Sequence, residues 1–431
     1  MLLTPLISLV GLVGLVQGSP VDAAAASSSS ASAAWPNGPL VTSGRWIHDA
    51  SGNNVTYAGA NWPGAADTML PEGLQFQSVD AIVAKIKSIG MNAIRLTYAI
   101  QMIDEIYANN GKDITIEAAL TKALGATNGQ TVLKQIIKNN PTFTASTTRL
   151  ELFDAVAAAC ARQQIYVHLD NHISKAEWCC STTDGNAWWG DTDFDVNNWV
   201  RGITYMAKHA AAWPSLVSMS LRNEPRSPDD KSAAATASKK TYNWQGWYKF
   251  VRQGADAIHA ANPDVLIFLS GLGYDTDLSA VTKGSVLSPG SDKFRLDDFA
   301  GYGAQKIVLE LHNYQNSATS CSSLESGLTN SGFSAMTGAS SLQIPVVMTE
   351  FGFMMDTSTY KGVYATCLAN FLPRIHAGWT IWVLSGSYYI RSGKQDFDET
   401  WGLLNHDWSA WRSPAYVKDQ LQPMIKASLG Q

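Results

Sequence analysis

The strongest indication of the fold is the stretch Leu216-Val217-Ser218-Met219-Ser220-Leu221-Arg222-Asn223-Glu224-Pro225, in which a β-rich apolar run ends in polar side chains. Runs of this kind recur, giving eight predicted strands: residues 55–61, 92–96, 165–170, 216–221, 265–269, 307–311, 344–348 and 379–383. Helical patterns lie between most of them, at residues 79–88, 149–163, 199–209 and 244–260. Apolar strands joined by crossover helices form a parallel sheet covered on both faces. Eight such units predict an α/β fold, the (β/α)8 TIM barrel.

A doubly wound open sheet is the alternative fold. It is disfavoured because no GxGxxG or Walker loop follows any of the predicted strands. The segments 99–143, 174–198, 222–241 and 271–300 are longer than ordinary connections, and the first contains helical stretches at 116–124 and 132–138. We therefore expect long loops on the catalytic face that shape a cleft.

The charge and aromatic content narrow the class of ligand. The net charge is -5 and Lys and Arg form no cluster, which argues against a nucleic-acid partner. Fifteen Trp and fifteen Tyr exceed what one core needs, and exposed aromatic faces commonly stack on sugar rings. Trp62, Trp178, Trp188, Trp189 and Trp401 are candidate sugar platforms, with core packing as the equal alternative for each.

The N-terminus predicts export. Residues 1–18 contain a short apolar stretch followed by small residues, which indicates a signal peptide, and residues 19–34 are an Ala/Ser-rich linker or pro-segment. A signal anchor stays open because no Lys or Arg precedes the apolar stretch. We expect residues 35–431 to form the catalytic domain of a secreted, extracellular monomer that does not associate with membranes. Asn54-Val55-Thr56 is a glycosylation sequon.

Five cysteines fit an oxidising compartment, and their odd number leaves at least one thiol over. Connectivity cannot be derived from the sequence, but a bridge from Cys179 or Cys180 to Cys321 is preferred. Cys160 and Cys367 lie in helical patterns and are expected to be buried free thiols. No CxxC or HxxxH pair accompanies them, so no metal or other cofactor is expected.

Polar and aromatic residues lie at or just after the ends of several predicted strands, at the end of a barrel where catalytic residues collect. They are Arg95, the run Asp170-Asn171-His172, the pair Asn223-Glu224, the run His312-Asn313-Tyr314, Glu350 and Trp382. Two carboxylates brought together from different strand ends are what cleavage of a glycosidic bond needs. A separation of about 5 Å between them predicts retention of configuration, and about 8 Å predicts inversion.

These residues resemble those of glycoside hydrolase family 5, the cellulase-like family, from about Trp35 to near the C-terminus. Leu221-Arg222-Asn223-Glu224-Pro225 matches the acid/base motif and Val347-Met348-Thr349-Glu350-Phe351-Gly352 the nucleophile motif. The resemblance implies Glu350 as nucleophile and Glu224 as acid/base. It implies a substrate-binding set of Arg95, His172, Asn223, His312, Tyr314 and Trp382. The segment 178–186 resembles a loop in cellulase-like proteins of fungi and plants.

The resemblance implies an endo-acting β-glucanase that binds a β-linked polysaccharide or oligosaccharide. An exo-acting β-glycosidase on short glycosides or glycolipids is one alternative, and a sugar-binding protein without turnover is another. We expect Arg95 and a tyrosine hydroxyl to keep Glu350 ionised, and a second carboxylate to raise the pKa of Glu224. His168 is assigned no catalytic role.

Overall fold

A computed structural model describes residues 35–431 of the chain, and the predicted signal peptide and linker lie outside the described residues. Within 35–431, eight parallel strands close into a barrel, which confirms the predicted TIM fold and excludes the open sheet. The barrel strands are Ala58–Trp62, Ala93–Ala99, Tyr166–Ile173, Leu216–Ser220, Leu266–Ser270, Ile307–Asn313, Val346–Phe351 and Trp379–Ile381. Closure occurs where Trp379 of the last strand pairs with Ala58 of the first.

The strand boundaries correct one detail of the prediction. Arg95 was expected at a strand end, but its strand continues to Ala99, so Arg95 lies inside the barrel below the rim. His172, His312 and Glu350 also lie within the last residues of their strands. The side chains that follow the apolar runs are therefore layered, with Arg95 deepest and fully buried.

Helices cover the outside of the barrel, and three of them, Ile116–Leu124 included, match their predicted bounds because each begins after a residue whose side chain caps it. Helix Val79–Ser88 is capped by the Ser78 hydroxyl, and helix Arg149–Gln163 begins with a capping box between Thr148 and Glu151. The other α-helices are Ile100–Ala108, Ala126–Asn139, Val196–Ala210, Ala233–Lys239, Trp244–Ala261, Leu272–Asp275, Ser279–Thr282, Gly303–Lys306, Cys321–Leu328, Ser334–Thr337, Val363–Arg374, Pro414–Tyr416 and Gln422–Leu429. Short 3-10 turns occur at Leu296–Asp298 and Thr359–Lys361, and π turns at Thr329–Phe333 and Val417–Leu421.

Two β-hairpins add to the barrel. Val41–Ser43 pairs with Trp46–His48 near the start of the described chain, and Leu40 just before it packs against the apolar cluster at the amino ends of the barrel strands. Ser387–Arg391 pairs with Lys394–Asp398 after the last barrel strand. This second hairpin, which we call the C-terminal hairpin, reaches the carboxyl end of the barrel, where its residues line a cavity.

The disulfide pairing that the sequence analysis preferred was wrong. Cys321 pairs with Cys367 and not with Cys179 or Cys180, because helices Cys321–Leu328 and Val363–Arg374 pack side by side. Cys179 and Cys180 are joined to each other, and Cys367 is therefore not the free thiol that was expected. Cys160 is buried and unpaired, as predicted. Among residues 35–431, no helix has both the length and the apolar character that crossing a membrane requires.

Candidate active site

A cavity of about 400 Å³ opens at the carboxyl end of the barrel. Six of the eight predicted site residues line it: His172, Asn223, Glu224, Tyr314, Glu350 and Trp382. The other two, Arg95 and His312, lie directly beneath and contact the glutamates. The structure thus brings together all eight residues, although they come from separate strands.

Glu350 receives a hydrogen bond on each carboxylate oxygen. Arg95 Nη1 donates to Oε1 at 2.7 Å, and the Tyr314 hydroxyl donates to Oε2 at 2.8 Å. Burial and the nearby negative charge of Glu350 raise the pKa of Tyr314 well above its ordinary value, so its hydroxyl stays protonated and remains a donor. The Glu350 side chain is only 6% exposed, and these two contacts fix its orientation towards the cavity.

Arg95 connects several of the buried polar groups. It forms an ion pair with Asp170 at 3.0 Å, and its Nη1 and Nη2 donate to Asn61 Oδ1 and Asn223 Oδ1 at 2.9 and 2.8 Å. Burial alone raises the pKa of Asp170, but the charge of Arg95 and the hydrogen bond with His172 outweigh it and hold that pKa below its usual range. A buried guanidinium with these partners is rigid, so it sets the positions of the side chains around it.

Glu224 has a different environment. Its backbone lies in the left-handed region at φ 48°. Residues other than glycine rarely adopt this conformation, and those that do are often found at functional sites. His312 Nδ1 is 2.9 Å from Glu224 Oε1, and burial lowers the pKa of His312 to about 3, so this partner is a neutral imidazole. Burial is also the main cause that raises the pKa of Glu224 to about 7. The predicted direction is therefore confirmed, but the predicted cause, a second carboxylate, is secondary to desolvation.

The two glutamates face each other across the cavity. A carboxylate oxygen of Glu224, a ring nitrogen of His312 and a carboxylate oxygen of Glu350 all lie within 4.8 Å of one another. So close an approach of the two carboxylates fits the separation of about 5 Å expected for retention better than the separation of about 8 Å expected for inversion.

The floor of the cavity includes a stacked aromatic pair. The rings of His172 and Trp382 lie parallel, with centroids 5.5 Å apart and 8° between their planes. His172 Nδ1 is in turn 2.7 Å from Asp170 Oδ2. The charged pair of Arg95 and Asp170 therefore also orients Trp382, through His172.

The aromatic candidates separate into two groups. Trp178 and Trp401 line the cavity, whereas Trp62, Trp188 and Trp189 are buried in the core. For these last three, packing was the correct interpretation. Trp401 lies against Tyr314, with ring centroids 5.9 Å apart.

Two parts of the cavity wall were missed by sequence reasoning. One is the Cys179–Cys180 disulfide, and the other is the C-terminal hairpin with the loop after it, which supplies Arg391, Phe397, Asp398, Glu399 and Thr400. Arg391 lies over the ring of Trp178, with its guanidinium carbon 3.5 Å from the ring centroid. The hairpin could have been found from its Ser392-Gly393 turn, which separates the aromatic run Ser387–Arg391 from the run Lys394–Asp398.

A second group of buried ionisable residues lies below the site. Glu310 accepts hydrogen bonds from the hydroxyls of Ser220 and Ser270, and its other carboxylate oxygen has no hydrogen-bond partner among the described residues. Asp275 Oδ2 lies 3.4 Å from His312 Nε2. Burial raises the pKa of both Glu310 and Asp275, which favours their protonated forms.

Comparison with known proteins identifies similar sequences and folds. The family model described as "Cellulase (glycosyl hydrolase family 5)" matches residues 48–387. A glycosyl hydrolase 5 family protein of Chamaecyparis obtusa is 34% identical over 403 residues, covering 90% of this chain and 66% of that relative. An endoglucanase of Paenibacillus polymyxa is 22% identical over 413 residues, covering 92% of this chain and 89% of that protein.

The solved structures show the same barrel. The catalytic domain of the major endoglucanase from Xanthomonas campestris superposes with a TM-score of 0.65 at 16% identity, covering 91% of this chain and 100% of that one. A complex of the endocellulase from Pyrococcus horikoshii with cellotetraose gives a TM-score of 0.65 at 18% identity, covering 90% of this chain and 98% of that one. At these identities the likeness concerns the fold.

Proposed function

This chain belongs to glycosyl hydrolase family 5, a family of retaining glycosidases, and on that premise we propose that it is an endo-β-glucanase with Glu350 as nucleophile and Glu224 as acid/base. The observation that carries the proposal is the approach of the two carboxylates to within 4.8 Å across one cavity. The endoglucanase names of relatives and the cellotetraose in a structural neighbour support a β-linked glucan as substrate.

The reaction has two displacements. In the first, a Glu350 oxygen bonds to the anomeric carbon while the bond from that carbon to the bridging oxygen breaks, and the proton of Glu224 passes to the departing oxygen. In the second, Glu224 accepts a proton from water, whose oxygen bonds to the anomeric carbon and releases Glu350. The hydrogen bonds from Arg95 and Tyr314 hold Glu350 for attack, and the elevated pKa of Glu224 supplies the proton near neutral pH.

The neighbouring side chains bind the sugar. Asn223 Oδ1 is occupied by Arg95, so the Nδ2 group of Asn223 is the one available to donate to a sugar hydroxyl. A hydrogen bond to the 2-hydroxyl strengthens as charge develops at the anomeric carbon. Trp382, held by His172, forms the floor of the site for the sugar that is attacked.

The test is hydrolysis of a panel of β-1,3-, β-1,4- and β-1,6-linked glucans, mannan and galactan. Glu350→Gln should abolish hydrolysis of every substrate that the wild type cleaves. Glu117→Gln, which changes a glutamate on helix Ile116–Leu124 that contacts Gln130, is the matched control and should keep full activity. NMR of the first product should show the β-anomer. Wild-type protein that binds glucan without cleaving it would establish the non-catalytic alternative instead.

Product lengths separate endo from exo action. An endo-acting enzyme releases a range of oligosaccharides early in the reaction and lowers the viscosity of a soluble glucan before much reducing sugar appears. An exo-acting β-glycosidase releases a single short product from the start. The early product pattern therefore decides between the two enzyme alternatives.

We also propose that the protein is secreted as a monomer. The Cys321–Cys367 disulfide supports folding in an oxidising compartment. N-terminal sequencing of protein from the culture medium should find residues 1–18 removed, and light scattering should give the mass of one chain. Retention of residues 1–18 on cell-associated protein would instead indicate a signal anchor.

A further inference from the structure

The Cys179–Cys180 disulfide lies on the cavity wall beside the proposed acid/base. The two sulfur atoms are 3.7 and 3.6 Å from Asn223 Nδ2, and they lie within 4.8 Å of a Glu224 carboxylate oxygen. No step of the hydrolysis described above uses them. A covalent link between adjacent residues in this place needs an explanation beyond the stability of the fold.

The amide of Asn223 shows that the disulfide lies beside the sugar-binding part of the cavity. Arg95 donates to Asn223 Oδ1, which fixes the amide with its Nδ2 group towards the sulfur atoms. Contacts of this length to sulfur are weak hydrogen bonds, so they do not compete with a sugar hydroxyl for Nδ2. The disulfide is therefore a neighbour of the bound sugar and does not block it.

The loop that carries the disulfide is tied to the backbone of Glu224. Arg226 Nε donates to the carbonyl of Ser181, the residue after the disulfide, at 2.7 Å. The same guanidinium forms an ion pair with Asp184 at 2.5 Å and donates to the Glu224 carbonyl at 3.1 Å. Because Arg226 is buried, it holds the disulfide and Glu224 in one fixed arrangement.

On the other side of the disulfide, Trp178 is fixed by packing. Its ring meets Trp382 edge-on with centroids 6.2 Å apart, and Arg391 covers one of its faces. Trp178, Cys179 and Cys180 thus form one wall that begins at Trp382 and ends beside Glu224. A preorganised wall loses little entropy when a ligand binds against it.

We propose that the Cys179–Cys180 disulfide is an apolar contact surface for the sugar unit that departs when the glycosidic bond is cleaved, an inference that rests on the proposed function. Glu224 protonates the departing oxygen, and the disulfide is the end of the wall that lies beside the Glu224 carboxylate, whereas Trp178 is the end beside Trp382. The disulfide is therefore placed to meet the departing sugar. A disulfide has no proton to donate, and its polarisable sulfur atoms suit the C–H face of a pyranose ring. The disulfide therefore binds the departing sugar by dispersion contacts, and other residues recognise the hydroxyl groups of that sugar.

The test compares two substrates that differ in what departs. Cellotetraose places sugar on both sides of the cleaved bond, whereas β-cellobiosyl fluoride loses only a fluoride ion and leaves the departing-sugar position empty. The variant is Cys179→Ser with Cys180→Ser. The matched control is Cys321→Ser with Cys367→Ser, which removes the disulfide that joins two outer helices.

We expect the Cys179/Cys180 variant to lose about tenfold in kcat/KM for cellotetraose, chiefly through KM, which corresponds to about 1.4 kcal/mol. Its kcat/KM for the fluoride should stay close to that of the wild type. The control variant should keep wild-type kcat/KM on both substrates even if its melting temperature falls. Equal losses on both substrates, or no loss on cellotetraose, would overturn the proposal.

A reductant gives a second route that does not depend on folding of the variant. In the Cys321/Cys367 control background, a phosphine reductant should produce the same selective loss on cellotetraose, and reoxidation should restore activity. If reduction leaves cellotetraose hydrolysis unchanged, the proposal fails. Wild-type protein that hydrolyses neither substrate would refute the proposed function itself, which is a different result from loss of selectivity.

Discussion

The alkaline limb of the pH profile is the most direct test of the roles given to the two glutamates. Burial raises the pKa of Glu224 from 4.5 to about 7, which favours its protonated form by roughly 3 kcal/mol. The acid/base must be protonated to assist departure of the leaving oxygen. Activity therefore requires the form that is lost as pH rises, and kcat/KM for cellotetraose should fall through a midpoint near pH 7, by about tenfold for each further pH unit.

Glu224→Gln should remove both that limb and most of the activity. An amide cannot give up a proton to the departing sugar, so we expect kcat/KM for cellotetraose to fall by roughly 100-fold to 10,000-fold. A dinitrophenyl glycoside needs no protonation of its leaving group. Its kcat/KM should stay within about tenfold of the wild type, while kcat collapses because water is no longer activated to release Glu350.

Azide separates this role from a general disturbance of the site. As a strong nucleophile that needs no general base, azide should restore kcat of the Glu224→Gln variant on the dinitrophenyl substrate and give a β-glycosyl azide product. Stopped assays over pH 4 to 10, with circular dichroism at each pH, provide the measurement. An alkaline limb near pH 7 that persists in Glu224→Gln, or the lack of any azide effect, would refute the assignment.

Three further substitutions test the polar residues that line the cavity or lie below it. Arg95→Met leaves Asp170 and Glu350 buried without the cation that pairs with both. We therefore expect the free energy of unfolding, measured by urea denaturation, to fall by roughly 3–5 kcal/mol. A fall of less than about 1 kcal/mol would contradict this expectation. Tyr314→Phe removes a hydrogen bond to a charged carboxylate and should lower kcat/KM by about tenfold or more. Unchanged kinetics would contradict this expectation. Burial raises the pKa of Glu310, so the wild type should lose stability as the pH rises above the ordinary pKa of a glutamate. Glu310→Gln cannot ionise and should escape this loss. The difference in unfolding free energy between variant and wild type should therefore grow from pH 4 to pH 7, and a constant difference would contradict the expectation.

The barrel was predictable from the sequence because its signals are local. Helix Arg149–Gln163 is marked at its start by Thr148 and Glu151, and its bounds agree with the prediction. The first strand was expected at 55–61 and is found at Ala58–Trp62, because apolar character begins before the strand pairs with its neighbours. The C-terminal hairpin was missed since it lies beyond the eighth strand, where the repeat of apolar strands and crossover helices has ended.

Features that depend on tertiary contacts were harder to predict. The pairing of Cys321 with Cys367 depends on which two helices become neighbours, which neither helical pattern reveals. The motifs for Glu224 and Glu350 located the cavity, but they did not show that desolvation dominates at Glu224. Asn61 also escaped notice: it is a buried strand residue that accepts a hydrogen bond from Arg95 and donates to the Thr349 carbonyl.

The two glutamates are the same residue type, and their partners assign them opposite tasks. Glu350 accepts hydrogen bonds from a permanent cation, Arg95, and from the Tyr314 hydroxyl, and these two contacts hold its carboxylate in place for attack. Glu224 meets His312, whose pKa of about 3 leaves it neutral, so burial is not offset at short range by a full positive charge. Arg95 also holds the amide of Asn223, the residue before Glu224, and so positions the acid/base without contacting its carboxylate. One guanidinium thus positions both groups but, of the two carboxylates, contacts only that of Glu350, and this asymmetry suits a double displacement.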